Sequence, residues 1–296
     1  MRVDLSGATA VITGASSGIG REFAKALAAK GCRLILVARR EDRMRALASE
    51  LTVPCEVLAA DLSKEAECNR ILEIIAGQGA SVLINCAGFG LLGPTVEQSL
   101  SAELNMIDLN IRALHILTRR FLDLRAEAGT GAVLNVASAA GLLPAGPYLN
   151  TYYATKAYVA SFTQGLAAEL KDMGSKIYVG ALCPGPVYTE FTQKANGREW
   201  ASAKTPEEVV EYAMRKMEKG KTLIVPGAGI RTGIFATRLI PRSLAAKIVG
   251  MGQKSRVGEE EPAVPAAPTP AATVAESAAE TGETAAEASV SAENKG

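Results

Sequence analysis

The stretch Thr13-Gly14-Ala15-Ser16-Ser17-Gly18-Ile19-Gly20 decides how the rest of this 296-residue chain is read. It leaves an apolar run, Ala8–Thr13, and opens a helical stretch, Ile19–Lys30. Its three glycines let the backbone turn sharply and approach a ligand closely. The helix start that follows offers free N–H groups and the positive end of a dipole, a setting made for a phosphate. A glycine-rich turn is a weak signal by itself. Here a strand precedes it, a helix follows it, and the next apolar run begins at Arg33, which is the confirming context. The glycine spacing is G-x-x-x-G-x-G rather than the commoner G-x-G-x-x-G.

Outward from this turn, short β-branched runs recur at Arg33–Ala38, Cys55–Ala60, Ser81–Cys86, Ala132–Ala137, Lys176–Leu182 and Thr222–Val225. Helical stretches such as Glu65–Ile75 and Lys156–Lys171 lie between them. This alternation predicts an α/β fold, a doubly wound parallel sheet of about seven strands with helices on both faces. The runs are nearly continuously apolar, as strands covered on both faces must be. Ligands of such sheets bind at the carboxyl ends of the strands, so function is sought in the loops that follow them.

Composition narrows the class. Hydrophobic residues make up 48% and charged residues 21%, which excludes a wholly disordered, collagen-like or coiled-coil chain. The net charge of +1 hides an asymmetry: residues 259–296 hold eight Glu against one Lys, and the remainder is net basic. A mild basic excess suits an anionic cofactor or substrate, but it is too dispersed for nucleic acid. The five cysteines form no C-x-x-C pair and no metal spacing, which reads as reduced thiols in a cytoplasmic protein with no metal site. Residues 1–7 lack the long apolar stretch that a signal peptide carries, and no run of 18 apolar residues occurs in the sequence, so neither a leader nor a spanning helix is expected. Residues 259–296 are Ala, Glu, Thr, Pro and Ser without an aromatic, a composition expected to stay disordered. The expected organisation is a catalytic domain over 1–229, a basic amphipathic segment over 230–258, serving as lid or surface helix, and an acidic tail over 259–296.

At Thr13–Gly20 the sequence resembles the cofactor motif of the short-chain dehydrogenase/reductase family, and the resemblance extends over roughly residues 5–230. It implies a Rossmann-type single domain in which Gly14, Ser16, Ser17, Gly18, Ile19 and Gly20 bind a nicotinamide dinucleotide. The second strand ends in Val37-Ala38-Arg39-Arg40, with guanidinium groups where an NAD site carries an acid. Arg suits a 2′-phosphate, so NADP(H) is the expected cofactor, with Arg39 the first candidate for the contact and Arg40 beside it. The third strand ends in Asp61-Leu62. The family places an acid against the adenine here; the competing reading is a helix cap, for which Ser63 is also a candidate. Asn85-Cys86-Ala87-Gly88 matches the family's N-N-A-G with Cys86 in place of the second Asn, a residue held to steady the sheet. Asn85, Ala87 and Gly88 are carried over as cofactor contacts. Pro184-Gly185-Pro186-Val187-Tyr188-Thr189 resembles the P-G-x-V-x-T motif, which implies that Pro184, Gly185, Val187 and Thr189 support the nicotinamide and pyrophosphate.

The chemistry is assigned to Asn110, Ser138, Tyr152 and Lys156, which match the family's Asn–Ser–Tyr–Lys tetrad. Tyr152 and Lys156 are four apart and share a helical face. A tyrosine's ordinary pKa near 10 is high for proton transfer at neutral pH, and a neighbouring ammonium is expected to lower it. Ser138 is expected to hold the substrate oxygen beside Tyr152, Lys156 to hold the nicotinamide ribose, and Asn110 to position a water for the proton relay. Tyr153 and the single His115 are read as structural. Without a G-x-S-x-G elbow, no hydrolase triad is supported. The apolar stretches Phe89–Leu92 and Leu142–Tyr148 suggest a lipophilic carbonyl such as a 3-oxoacyl or steroid-like compound. The resemblance also implies a homodimer or homotetramer. The competing readings are an extended-branch epimerase, disfavoured by the glycine spacing, and an NADPH-binding sensor or scaffold. Between Ile230 and Met251, apolar and basic residues alternate at helical spacing around Pro241, as in a packed lid or a peripheral membrane contact.

Overall fold

The computed structural model describes residues 2–190 and 203–257, all within one compact unit spanning Met1–Glu260. The tail expected over 259–296 lies outside the described residues. Seven strands form one sheet: β1 (Thr9–Thr13), β2 (Arg33–Ala38), β3 (Cys55–Ala59), β4 (Val82–Asn85), β5 (Thr130–Val136), β6 (Lys176–Leu182) and β7 (Leu223–Ile224). They lie in the order β3-β2-β1-β4-β5-β6-β7, and every pairing is parallel. The direction of winding reverses between β1 and β4, so a crevice opens above their carboxyl ends.

The helices are α1 (Gly18–Ala28), α2 (Glu41–Glu50), α3 (Glu65–Gly77), α4 (Leu100–Ile107), α5 (Leu114–Ala126), α6 (Asn150–Asp172), α7 (Pro206–Glu218), α8 (Ala228–Ala236) and α9 (Arg242–Val257). On one face of the sheet, Phe23 and Leu27 of α1, Met44 of α2 and Val209 of α7 close a core with Ile12, Leu34 and Leu36. On the other face, Ile71 of α3 and Leu117 and Phe121 of α5 pack on Val11, Ile35 and Leu83. Doubly covered strands explain the absence of polar alternation. The start of α7 has a full capping box: Thr205 Oγ1 accepts from the Glu208 N–H at 3.3 Å, the Glu208 carboxylate accepts from the Thr205 N–H at 3.1 Å, and Pro206 follows.

The helix carrying Tyr152 and Lys156 begins at Asn150, so the two residues share its first turns as their spacing predicts. One feature departs from the sequence reading: the segment around Asn110 is a π-helical turn, Asp108–Ala113, inserted between α4 and α5. Such an insertion changes which way one side chain points and leaves no trace in hydrophobic periodicity. Pro241 divides the C-terminal segment as expected. Its carbonyl accepts from the N–H groups of Leu244 and Ala245, both at 3.0 Å, and starts α9.

Candidate active site

The turn after β1 is shaped by close backbone approach. Gly14 has φ +68, and a Cβ there would lie 2.9 Å from the Ala87 backbone in the loop after β4. Only a residue without a side chain lets these two loops meet. Thr13 joins them: its buried Oγ1 accepts from the N–H groups of Cys86 and Ala87 at 3.0 and 3.1 Å. At the start of α1, Ser17 makes no side-chain cap, and no acidic residue occupies the first turn. The N-terminus is thus left for an outside anion, with Thr189 packed against Gly18 above it. Ser16, Ser17, Gly18, Ile19, Gly20 and Thr189 fit a pyrophosphate.

At the end of β2 it is Arg40 that reaches the turn. Its Nη2 donates to Ser16 Oγ at 3.1 Å and to Ser17 Oγ at 2.8 Å, while Arg39 is exposed. Arg40 also pairs with Glu190 at 2.7 Å, and Arg43 binds the same carboxylate. Those two guanidinium groups hold the Glu190 carboxyl below its ordinary range. At the end of β3, Asp61 Oδ1 accepts from Ser63 Oγ at 2.8 Å and from the Ser63 N–H at 3.2 Å. Asp61 thus closes a local turn on Ser63, but the helix-cap reading fails for both residues, because the N-cap position of α3 is Lys64 and no side chain caps it; Leu62 is buried beside them.

Asn85 faces inward. Its Nδ2 donates to Thr118 Oγ1 at 3.1 Å and Asn135 Oδ1 at 3.0 Å, and Asn135 Nδ2 donates to Thr163 Oγ1 at 3.0 Å. This buried chain ties β4 to α5, β5 and α6. Asn85, the first residue of the Asn85-Cys86-Ala87-Gly88 stretch, thus braces the sheet.

The tetrad residues gather at the crevice. Ser138 lies two residues past β5, and its Oγ accepts from the Ala140 N–H at 3.1 Å while also hydrogen-bonding Tyr152. Lys156 Nζ lies 5.9 Å from the Tyr152 ring centroid and donates to the Val136 carbonyl at 2.9 Å. Burial pushes the Tyr152 phenol up to about 12, against the Ser138 hydrogen bond that lowers it. This corrects the expectation of a depressed tyrosine. The ammonium is engaged with Val136, and desolvation outweighs every favourable contact. Burial likewise lowers Lys156 to about 8.

Asn110 is fully buried in the π-helical turn. Its Nδ2 donates to the Phe89 carbonyl at 2.8 Å and to Thr155 Oγ1 at 3.1 Å, and its Oδ1 accepts from the Phe89 N–H at 3.1 Å. The side chain is a brace between the loop after β4 and α6. Gly88 fits between Asn110 and Lys156, where a Cβ would sit 2.9 Å from Asn110 Oδ1.

Pro184 and Gly185 lie where β6 ends; Gly185 packs under Ile230 of α8. Val187 is bridged to Lys204. The two apolar loops are joined: the Gly93 N–H donates to the Tyr148 carbonyl at 2.8 Å, and Tyr148 holds φ +67, a costly value for a non-glycine residue. Tyr153 is buried, its hydroxyl accepts from Gln253 Nε2 at 3.2 Å, and Gly146 packs against its ring. His115 bonds Tyr158 at 2.8 Å and stacks near Phe162 on the outer face of α5 and α6. Among the described residues, no group of three His, Cys, Asp or Glu side chains is placed to hold a metal, and no helix is long and apolar enough to cross a membrane. The sequence reading missed Thr13, Thr155 and Glu190; only Thr13, inside the quoted motif, left a signal.

Comparison with known proteins agrees with this geometry. The model of the short chain dehydrogenase family matches residues 8–200. Very-long-chain 3-oxoacyl-CoA reductase-B of Danio rerio is 31% identical over 270 residues, covering 86% of this chain and 84% of that protein. A short-chain dehydrogenase from Sphingobium yanoikuyae, solved in complex with NADPH, is 31% identical with a TM-score of 0.69, over 86% of this chain and 98% of that one. The bulky-bulky ketone specific alcohol dehydrogenase from Comamonas testosteroni is 28% identical with a TM-score of 0.68, over 86% and 97%. By the family model over residues 8–200 and these relatives, the chain belongs to the short-chain dehydrogenase/reductase family, and is an oxidoreductase.

Proposed function

We propose that the chain reduces a lipophilic ketone or aldehyde to its alcohol with NADP(H), reversibly. The observation that carries this reading is the placement of Tyr152 at the crevice, hydrogen-bonded to Ser138 and with Lys156 Nζ 5.9 Å from its ring. Carbonyl reduction needs a proton donor at the oxygen, and the Tyr152 hydroxyl beside Ser138 is placed to be one. Ser138 and Tyr152 hold the carbonyl oxygen, Tyr152 releases its proton to it, and Lys156 stabilises the phenolate left behind. The bound cofactor supplies the hydride. The α1 N-terminus with Ser16, Ser17, Gly18 and Thr189 holds its pyrophosphate, and Lys156 its nicotinamide ribose. Arg40, already held by Ser16 and Ser17 at a strand end without an acid, supports a 2′-phosphate and hence NADP(H) over NAD(H). Phe89–Leu92 and Leu142–Tyr148, joined across the crevice mouth, support an apolar substrate, in keeping with the reductase and the ketone-specific relatives.

The test is NADPH oxidation by the full chain against 3-oxoacyl thioesters of two lengths, an aldehyde, a diketone and a ketosteroid, each repeated with NADH. Faster turnover of one class with NADPH is expected. Tyr152→Phe is expected to lower that turnover by about 10²–10⁴-fold while NADPH binding, followed by fluorescence, stays within a few-fold. Retained turnover in that variant removes Tyr152 as the acid.

A further inference from the structure

The C-terminal helices are apolar on two sides. Inward, Ile230 and Ile234 of α8 pack with Ala139, Cys183 and Leu142 beside the site. In α9, Ala245, Gly250 and Gln253 are buried, with Gly250 against Pro147 and Gln253 on Tyr153. Outward, Phe235 is 61% exposed, Leu239 73% and Met251 74%, with Leu244 and Ile248 also exposed. Leu244, Ile248 and Met251 are spaced i, i+4, i+7, a single stripe along α9 opposite its buried face. Lys247 and Lys254 flank the stripe, and Arg238 and Arg242 lie at the turn between the helices; all four are exposed and form no ion pair among the described residues.

The charge pattern says what covers this face. Residues 226–258 contain six Lys and Arg and not one Asp or Glu, in a chain that otherwise mixes the two signs. A monomer's surface helix normally intersperses acids with bases, and a large apolar stripe rimmed only by cations is the signature of a helix lying in the interface of an anionic bilayer. The acidic segment 259–296 matches the charge, but its apolar residues are only Ala, Val and Pro, so it offers no counterpart for five large side chains. We propose that the outward face of α8 and α9 docks on a lipid bilayer bearing anionic headgroups, with Phe235, Leu239, Leu244, Ile248 and Met251 entering the acyl boundary and the four cations on the headgroups. Because α9 packs on Pro147 and Tyr153, docking would bring the apolar loop Leu142–Tyr148 to the membrane. That consequence rests on the lipophilic-substrate reading, whereas the docking itself does not.

The test is co-sedimentation of the full chain with vesicles of phosphatidylcholine alone and of phosphatidylcholine mixed with phosphatidylglycerol. Pelleting with the mixed vesicles, weakening with added salt, is expected. Removing each lysine charge, Lys247→Gln or Lys254→Gln, is expected to weaken it about fivefold, following the roughly 1 kcal/mol per basic residue near an anionic surface. Leu239→Ser with Met251→Ser is expected to weaken it more than tenfold. These side chains are exposed, so an unchanged melting temperature and unchanged NADPH binding certify the variants. Three results overturn the proposal. One is a wild-type chain that stays in the supernatant at low salt. Another is a wild-type chain that assembles in solution through this face, so that Leu239→Ser with Met251→Ser returns it to a smaller species. The third is vesicle binding seen only after the tail glutamates are changed to glutamine, which would make the tail the occupant. Because none of these readouts is turnover, an inactive but vesicle-binding chain would refute the reductase reading and leave this one standing.

Discussion

The loops after β1–β3 and the loops after β4–β6 solve different problems. In the first set the ligand surface is mostly backbone: a helix N-terminus without a cap, a glycine at φ +68, and one arginine held by two serines. In the second set the surface is side chain, and each functional group needs a brace from elsewhere. Lys156 leans on the Val136 carbonyl, and Asn110 on Phe89 and Thr155; Asn85 and Asn135 cross-link four elements beneath them. On the proposed function the first set binds the cofactor without moving a proton, whereas the second keeps a phenol and an ammonium dry, and burial shifts both. Damage to the second set should therefore cost catalysis, and damage to the first should cost cofactor choice.

Lys156→Met carries the largest expected effect within this comparison. It removes the charge that stabilises the phenolate, so turnover falls by about 10²-fold or more. The same substitution should not lower the melting temperature at pH 7. Burial depresses Lys156 from its ordinary 10.5 to about 8, so the folded state binds this proton more weakly than the unfolded state does. Between about pH 8 and 10.5 the unfolded chain holds the extra proton, and stability rises with pH; below about 8 the folded state bears the full cost of the buried charge. Reduction should run the other way, declining as pH climbs past about 8 and the ammonium is lost. Opposite slopes for stability and turnover in the wild type, both flattened in Lys156→Met, are the expected pair. A variant that loses stability at pH 7 would mean that the bond to Val136 outweighs the desolvation.

Arg40→Ala tests the first set. One charge-assisted contact to a phosphate is worth about 1.5–3 kcal/mol, so the preference for NADPH over NADH should drop about 10–100-fold, with kcat on a good substrate little changed. Arg39→Ala should move the preference much less, because Arg39 is exposed and makes no contact with the turn. The reverse ranking would restore Arg39, the sequence-based first candidate.

The same contrast explains what the sequence made legible. Backbone sites announce themselves through glycine spacing and strand–helix alternation, and the strand order follows from the doubly wound pattern. Tyr152 and Lys156 were readable because four residues on one helix fix their relation. The π-helical turn at Asn110 was not, since an inserted residue shifts a side chain without altering hydrophobic pattern. Nor was the rise of Tyr152 to about 12: spacing places the lysine near, but only packing sets how dry the phenol is and where the ammonium points. Which of the two adjacent arginines lies on the glycine-rich turn also needed coordinates, because the end of β2 leaves Arg39 exposed and lays Arg40 across Ser16 and Ser17.

Glu190 gives the smallest and sharpest test. Its carboxylate bridges Arg40 and Arg43, so it occupies a guanidinium that a 2′-phosphate would also claim. Both anions seek the same donors, and the ion pair must loosen for a phosphate to take them. The pair is close to half exposed, which limits its worth to about 0–1 kcal/mol. Glu190→Gln keeps the shape and removes the charge, so NADPH affinity should improve by up to about fivefold while NADH affinity stays constant. Its carboxyl lies below the ordinary 4.5, so wild-type Glu190 is ionised through the neutral range and the gain should not depend on pH there. A loss of NADPH affinity in Glu190→Gln would reverse the interpretation: the carboxylate would then be aiming Arg40 at the phosphate site rather than competing for it. In either case the difference between NADPH and NADH isolates the end of β2, because the pyrophosphate and nicotinamide contacts are common to both cofactors.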